Sequence, residues 1–385
     1  MKGRLKIRMD SKKDFNVLKE CVDFIQQRKQ EINIGDSPYS EGDKEISYGI
    51  AEERIFPTMF CDVSRKLAFV DGGTASILSA ADFNISLNRV AGVLFEGNEI
   101  KPFTKTPEVI EFYTVTILEP TTDGKMAYTI QLFPREPSFK EFLPDEEIII
   151  PLNEVRELMG FRFMPNIEIF GGVAMRFAEW TYATKLIEFE LDKGDIFVRD
   201  GSLQTGYKNE ILLVRELHST AKEKSVYITG LSKTCRLFTK SGDSLIALVD
   251  MIASKKYPEE QWYYHPIFKM TKADNLADVY FVKLHKFARS PFRFDIYLDQ
   301  SENLDQQEKE IIISNLARNS TDLSFPGYPY GLIKVDQLSR VAAREIGPQK
   351  IQLMAEFDSE LYTKYILPRI RSIDAHDLLN TIRKN

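Results

Sequence analysis

Cysteine is scarce in this chain of 385 residues: there are three, Cys21, Cys61 and Cys235. None stands in a C-x-x-C pair, so neither a disulfide framework nor a cysteine-rich zinc site is expected, and the count suits a reducing cytosol. The four histidines, His218, His265, His285 and His376, show no H-x-x-x-H or H-E-x-x-H spacing. Each reads as a structural or surface residue, which leaves a zinc hydrolase without support. No apolar run reaches the roughly 18–20 residues of a membrane span. The basic start, MKGRLKIRMDSKKDFN, lacks the apolar stretch of a secretory signal, so a soluble, cytoplasmic protein is expected. The chain has no G-x-x-x-x-G-K-[ST] phosphate loop, no persuasive Ser-His-Asp or Cys-His arrangement, no internal repeat and no low-complexity tract.

The composition is that of an ordinary globular protein, 43% hydrophobic and 28% charged. The length allows about two to three domains, or one with large insertions. A net charge of −6 argues weakly against a nucleic-acid binder, but the 51 Lys and Arg residues leave room for a local positive channel.

Helical spacing of Phe15, Leu18, Cys21, Val22 and Ile25 predicts an amphipathic helix over residues 11–34, followed by a polar linker. KLAFVDGGTAS reads as a buried strand that stops at Asp71-Gly72-Gly73. SLNRVAGVLFEG, EVIEFYTVTIL and MAYTIQLF read as antiparallel strands, and EPSFKEFLPDEEIIIPLNE as a loop or short insertion. Residues 171–191 form the clearest helix. DIFVRDGSL is a second buried strand, and SVYITGLSKT a third. Helices are expected at 207–222, over GDSLIALVDMIAS and over QQEKEIIISNLARN. A hairpin is expected from ADVYFVKLHKF and FRFDIYL, and a long helix from about Leu332 to Arg344, with a short helix at the end of the chain. Strands followed by alternating helices and strands predict an α/β fold, a mixed sheet with helices on its faces.

Two strands end alike, FVDGG at 69–73 and VRDGSL at 198–203. Each delivers an aspartate, Asp71 or Asp200, to a point where glycine lets the backbone turn or a ligand approach. Active sites of open α/β sheets lie at such strand ends. A third carboxylate, Glu179, sits among apolar neighbours on the helix before the second strand, with Glu188 as the competing choice. Such oxygen ligands suit Mg²⁺ or Mn²⁺. Two such ions activate a water and stabilise the leaving oxygen of a phosphodiester without any protein nucleophile.

FVDGG, the helix carrying Glu179, VRDGSL, GLSKT and PGYPYGLIKVDQLSRVA follow one another in an order that resembles the NurA nucleases, over roughly residues 65–345. The resemblance implies a ribonuclease H-like mixed sheet with N-terminal and C-terminal helical additions. It divides the chain into an N-terminal segment and linker (1–50), a nuclease domain (51–345, with an insertion around 135–168) and a C-terminal extension (346–385). It implies a metal-dependent 5′-to-3′ DNA exonuclease, in some members also a single-strand endonuclease. The family works with the hexameric ATPase HerA in repair of double-strand breaks, as a homodimer around a DNA channel. Carried onto this chain, it assigns catalytic roles to Asp71, Glu179, Asp200, Tyr328 and Asp336, metal ligation to Asp71, Glu179 and Asp200, and a substrate phosphate to Lys233. Many NurA proteins carry a histidine eight residues after the tyrosine, where this chain has Asp336. A carboxylate there still ligates a hard metal but cannot act as an imidazole. Two alternatives stand beside this reading: another ribonuclease H-like nuclease, RNA-cutting or resolvase-like, and a non-catalytic DNA- or partner-binding subunit.

Overall fold

A computed structural model describes residues 11–28, 36–39, 45–159 and 165–370. The main elements run α1 (Ser11–Arg28), β1 (Glu45–Ser47), β2 (Ile55–Pro57), β3 (Lys66–Ser79), β4 (Phe83–Glu96), β5 (Glu99–Lys101), β6 (Val109–Pro120), β7 (Met126–Pro134) and β8 (Glu147–Pro151). There follow α2 (Leu152–Met159), α3 (Ile169–Glu190), β9 (Ile196–Asp200), α4 (Glu210–Lys224), β10 (Tyr227–Ser232) and α5 (Leu245–Lys256). The last part holds β11 (Trp262–Lys272), β12 (Asn275–Lys283), β13 (Phe292–Tyr297), α6 (Leu298–Asn303), α7 (Gln306–Arg318), α8 (Tyr330–Ser339) and α9 (Ala343–Glu356).

Among the described residues thirteen strands join one mixed sheet, ordered β1-β11-β12-β13-β10-β9-β3-β4-β6-β7-β8, with β2 on β11 and β5 on β4. Its centre, β6-β4-β3-β9-β10, has the expected ribonuclease H-like order. Strands β3, β4 and β6 form an antiparallel meander, and β9 and β10 run parallel to β3. Helix α3 precedes β9 and α4 links β9 to β10, since parallel neighbours need such crossovers.

Alternation along the central strands sorts the core into two layers. Ala68, Val70 and Phe197 pack under α3 and α4, whereas Phe69, Ile196 and Val198 pack under α7 and α8. Helix α3 is apolar over most of its surface because most of it is covered, with Phe177, Trp180, Tyr182 and Leu186 buried. Phe69 is fully buried beneath α8, where Gly331 leaves space for its ring. Removing that ring would cost about 3–5 kcal/mol.

Four details differ from the sequence reading. β3 does not stop at the glycines but pairs with β4 as far as Ser79. Within the segment expected to be a loop, β8 adds a strand to β7 and α2 follows it. β11, which includes a proline, went unread, yet it pairs along β12. The helix expected from Leu332 to Arg344 is two helices. Glu345 reaches back to the amide of Ala342 at 2.8 Å and starts α9 afresh. Arg89 of β4 pins the break by donating to the Arg340 carbonyl at 2.7 Å and to Glu345 at 2.6 Å. Helix α1 is present, but Leu18, Val22 and Ile25 are exposed rather than packed. The remainder of its expected span, 29–34, lies outside the described residues.

Candidate active site

The parallel pairing of β3 with β9 ends at Val70 and Arg199. Asp71 and Asp200 are the next residues on the two strands. By alternation both face the layer that holds α8. Asp71 accepts from the Gly72 amide at 2.9 Å and from Ser339 Oγ, at the end of α8, at 3.3 Å. Asp200 accepts from Lys233 Nζ at 2.7 Å and from the Tyr328 hydroxyl at 3.2 Å. Lys233 follows β10, so the β9–β10 pairing brings it to Asp200. Asp336, on α8, stands 3.8 Å from Lys233 Nζ and is held by Arg340 at 2.7 Å. The Lys233 ammonium also lies 5.3 Å from the centre of the Tyr328 ring.

These groups are electrostatically unbalanced. Burial and then the charge of Asp200 push the Asp71 carboxyl up to about 6, with the Gly72 amide and Lys233 opposing. Burial and the Asp200 charge likewise keep the Tyr328 phenol protonated far into the alkaline range. Burial works against the Lys233 charge, but its hydrogen bond to Asp200 prevails and raises it above the ordinary lysine value.

Glu179 reaches the same strand end from the α3 side. A side chain at Gly72 would place its Cβ 2.7 Å from Glu179 Oε1, and one at Gly73 would strike the Ser339 carbonyl. The two glycines therefore let α3 and the end of α8 close on β3 from opposite faces. Glu179 pairs with buried Arg199 at 3.3 Å. Burial pushes its carboxyl up to about 7, with Arg199 opposing and Asp71 adding to the shift. Arg199 lies 4.1 Å over the Trp180 ring, and the Trp180 indole donates to buried Glu210 at 2.6 Å. Glu188 is about 13 Å further along α3, where it pairs with Lys185 at 2.9 Å and faces solvent.

A NurA domain model matches residues 65–341. This chain belongs to the NurA family. The match covers β3 through α8, and so every residue of the cluster. The NurA nuclease from Sulfolobus solfataricus is similar over 93% of this chain and 98% of its own, at 15% sequence identity and a TM-score of 0.51. Endonuclease V from Ciona intestinalis, in complex with an inosine-containing 24mer DNA, overlaps 78% of this chain and 94% of its own at 12% identity, with a TM-score of 0.32. The C-terminal lobe of a budding yeast Argonaute overlaps 77% and 51% at 9% identity, with a TM-score of 0.29. No curated protein matches. The NurA membership makes the chain a nuclease. Among the described residues no helix is long and apolar enough to cross a membrane.

A NurA nuclease implies divalent metal, and the donor set is of the right kind. Asp71 and Asp200 offer hard oxygens, and burial together with the Asp200 charge raises the Asp71 carboxyl, a cost that a bound cation would relieve. Among the described residues, however, no three His, Cys, Asp or Glu side chains stand ready as a cage. Lys233 lies on Asp200, and Arg199 holds Glu179 on the far face of the sheet.

Arg199 and Ser339 escaped the sequence reading. Arg199 had a signal in its position, since a charge inside an otherwise buried strand requires a partner. Ser339 had none, because only the break after α8 aims it at Asp71. Among the described residues no histidine side chain bonds to the cluster. His265 stacks on Tyr280 and bonds Asp278 at 2.9 Å, His218 stacks on Tyr297, and His285 sits beside Phe287. His376 lies outside the described residues.

Proposed function

We propose that this NurA protein hydrolyses DNA phosphodiester bonds with Mn²⁺ or Mg²⁺ by a two-metal route. The carrying observation is the meeting of Asp71 and Asp200 at the end of the β3–β9 pairing, with the Asp71 carboxyl pushed up to about 6 by burial and by the charge of Asp200. Asp71 and Asp200 would hold the metal ions, and Glu179 would join them around the open end of β9. Bound there, the ions supply an activated water and charge stabilisation at the leaving oxygen. Lys233 is half exposed, so its ammonium would also meet a substrate phosphate while bonded to Asp200. Tyr328 keeps its proton and orients Asp200 through it. Asp336 holds Lys233 from the other side, in place of the imidazole that many family members carry there.

The family resemblance supports the finer features: 5′-to-3′ exonuclease action with single-strand endonuclease activity, end processing in double-strand break repair, a HerA-type ATPase partner, and a homodimer. One observation favours a second reading, a DNA- or partner-binding subunit that does not cleave. The Lys233 ammonium occupies the side of Asp200 that a cation would take.

Cleavage of end-labelled single- and double-stranded DNA with Mn²⁺, Mg²⁺ or EDTA, beside Asp200→Ala, separates the two. Metal-dependent degradation that disappears in the folded variant is expected. No cleavage in any metal, alone or with the cognate ATPase, would leave the binding subunit. Light scattering tests the dimer, and a monomeric mass would contradict it.

A further inference from the structure

Phe325-Pro326-Gly327-Tyr328 has the pattern of a type II turn. Proline stands second, Gly327 has φ +88°, and the Tyr328 amide donates to the Phe325 carbonyl at 3.2 Å. Such a turn brings its first and fourth residues together. Here their rings stack, 5.1 Å between centres and 27° from parallel. Phe292 of β13 closes on both rings, at 6.1 Å and 5.3 Å. The turn is fastened to its surroundings: the Gly327 amide donates to the Ser320 carbonyl at 3.0 Å, and Tyr330 to that of Asn319 at 2.7 Å.

The two rings end differently. Tyr328 is buried and its hydroxyl bonds Asp200, whereas Phe325 is 44% exposed, with nothing in its ring pairs beyond Phe292 and Tyr328. The stack thus runs from the carboxylates out to an open aromatic face. The loop packed against Gly327 through Ala288 adds the exposed ring of Phe287, with the Lys286 ammonium 5.0 Å from it. Exposed rings beside ammonium groups form the combination that binds single-stranded nucleic acid, because every base has a stackable face and every linkage a charge.

We infer that the exposed face of Phe325 is a stacking platform for one base of the nucleotide whose phosphate lies at Lys233 and Asp200. A base inside a duplex already has both faces covered by its neighbours. The platform therefore admits a base with an uncovered face, in single-stranded DNA or at the end of a duplex, and excludes the duplex interior. This rests on the nuclease reading of the carboxylates. Phe325 binds substrate and takes no part in proton transfer.

The test uses the full chain and oligonucleotides carrying 2-aminopurine at successive positions from the end. Binding is followed by fluorescence, in EDTA and in Ca²⁺ so that nothing turns over. One position should quench on the wild-type protein. Phe325→Trp should keep that quench. Phe325→Ala should lose it and bind about tenfold more weakly, while still unfolding in one cooperative transition. In cleavage assays Phe325→Ala should raise KM about tenfold with kcat little changed, and an abasic site at the quenched position should reproduce the loss on wild-type protein. No quench in the wild type, or the same quench in Phe325→Ala, overturns the platform. Phe325-dependent quench without cleavage in any metal would sink the nuclease reading and leave the platform. Cleavage that needs Asp200 but ignores Phe325 would do the reverse.

Discussion

The two Asp-Gly motifs are near-duplicates in sequence and different devices in the fold. At 200–201 the strand ends: Gly201 takes φ +120° and its amide bonds back to Leu231 at 2.9 Å. At 71–72 the strand continues to Ser79, and what ends is the pairing with the neighbour. Gly201 is there for its backbone conformation, with open space where a side chain would stand. Gly72 is there for its missing side chain, whose place Glu179 and Met175 fill. The partners differ as well. Asp200 is held by an ammonium and a phenol, whereas Asp71 meets one amide, one hydroxyl and the negative charge of Asp200. The same dipeptide thus serves in one place as a turn and in the other as a thin spot between two helices.

Substituting the two aspartates should give the largest effects and sharpen this contrast. Asp71→Asn and Asp200→Asn should each lower DNA cleavage by at least about a hundredfold, but their stabilities should move apart in thermal melts. The Asp71 carboxyl is pushed from 3.8 up to about 6, so the folded state keeps its proton longer than the unfolded chain does. Stability is therefore fully present below pH 3.8 and is lost as pH rises to about 6. Asp71→Asn should stabilise by up to about 3 kcal/mol at pH 7 and by almost nothing at pH 3.5, and a pH-independent difference would contradict the account. Asp200→Asn should instead lose about 1 kcal/mol.

The glycines come next. Gly201→Ala should cost about 1–2 kcal/mol of stability through backbone strain, with the cluster otherwise intact. Gly72→Ala should displace Glu179, lowering activity more than stability. Equal losses in both assays for both variants would break the distinction. The smallest effect belongs to Arg340→Ala, which frees Asp336. Its exposed ion pair should contribute less than about 0.5 kcal/mol, measured by denaturant unfolding.

Local pattern exposed most of the central fold. The meander, α3, β9, α4 and β10 each carry their own period and their own punctuation. β8 and β11 lacked such signals: β8 is five residues between the acidic stretch at 145–146 and the start of α2, and β11 is interrupted by Pro266. The break after Ser339 was illegible because Glu345 and Arg89 make it, and only the fold brings Arg89 there. At the site, the DG signal singled out Asp71 and Asp200. The different surroundings of Glu179 and Glu188 follow from which stretch of α3 the sheet covers, a tertiary fact. The Lys233–Asp200 contact likewise depends on the register of β10 against β9.

The length of β3 carries a last consequence. Beyond Asp71 it extends to Ser79, about 25 Å of strand, with β4 and β6 alongside. Gly171 of α3 lies against Thr74 and Ser86 on one side, and Glu345 and Gln349 of α9 engage Arg89 and Tyr113 on the other. The site is therefore flanked unequally, by paired strand on the β3 side and by turns and side-chain tips on the β10 side. Asp71 is thus carried by a strand whose ladder with β4 runs on past it, whereas Asp200 stands where its own strand ends.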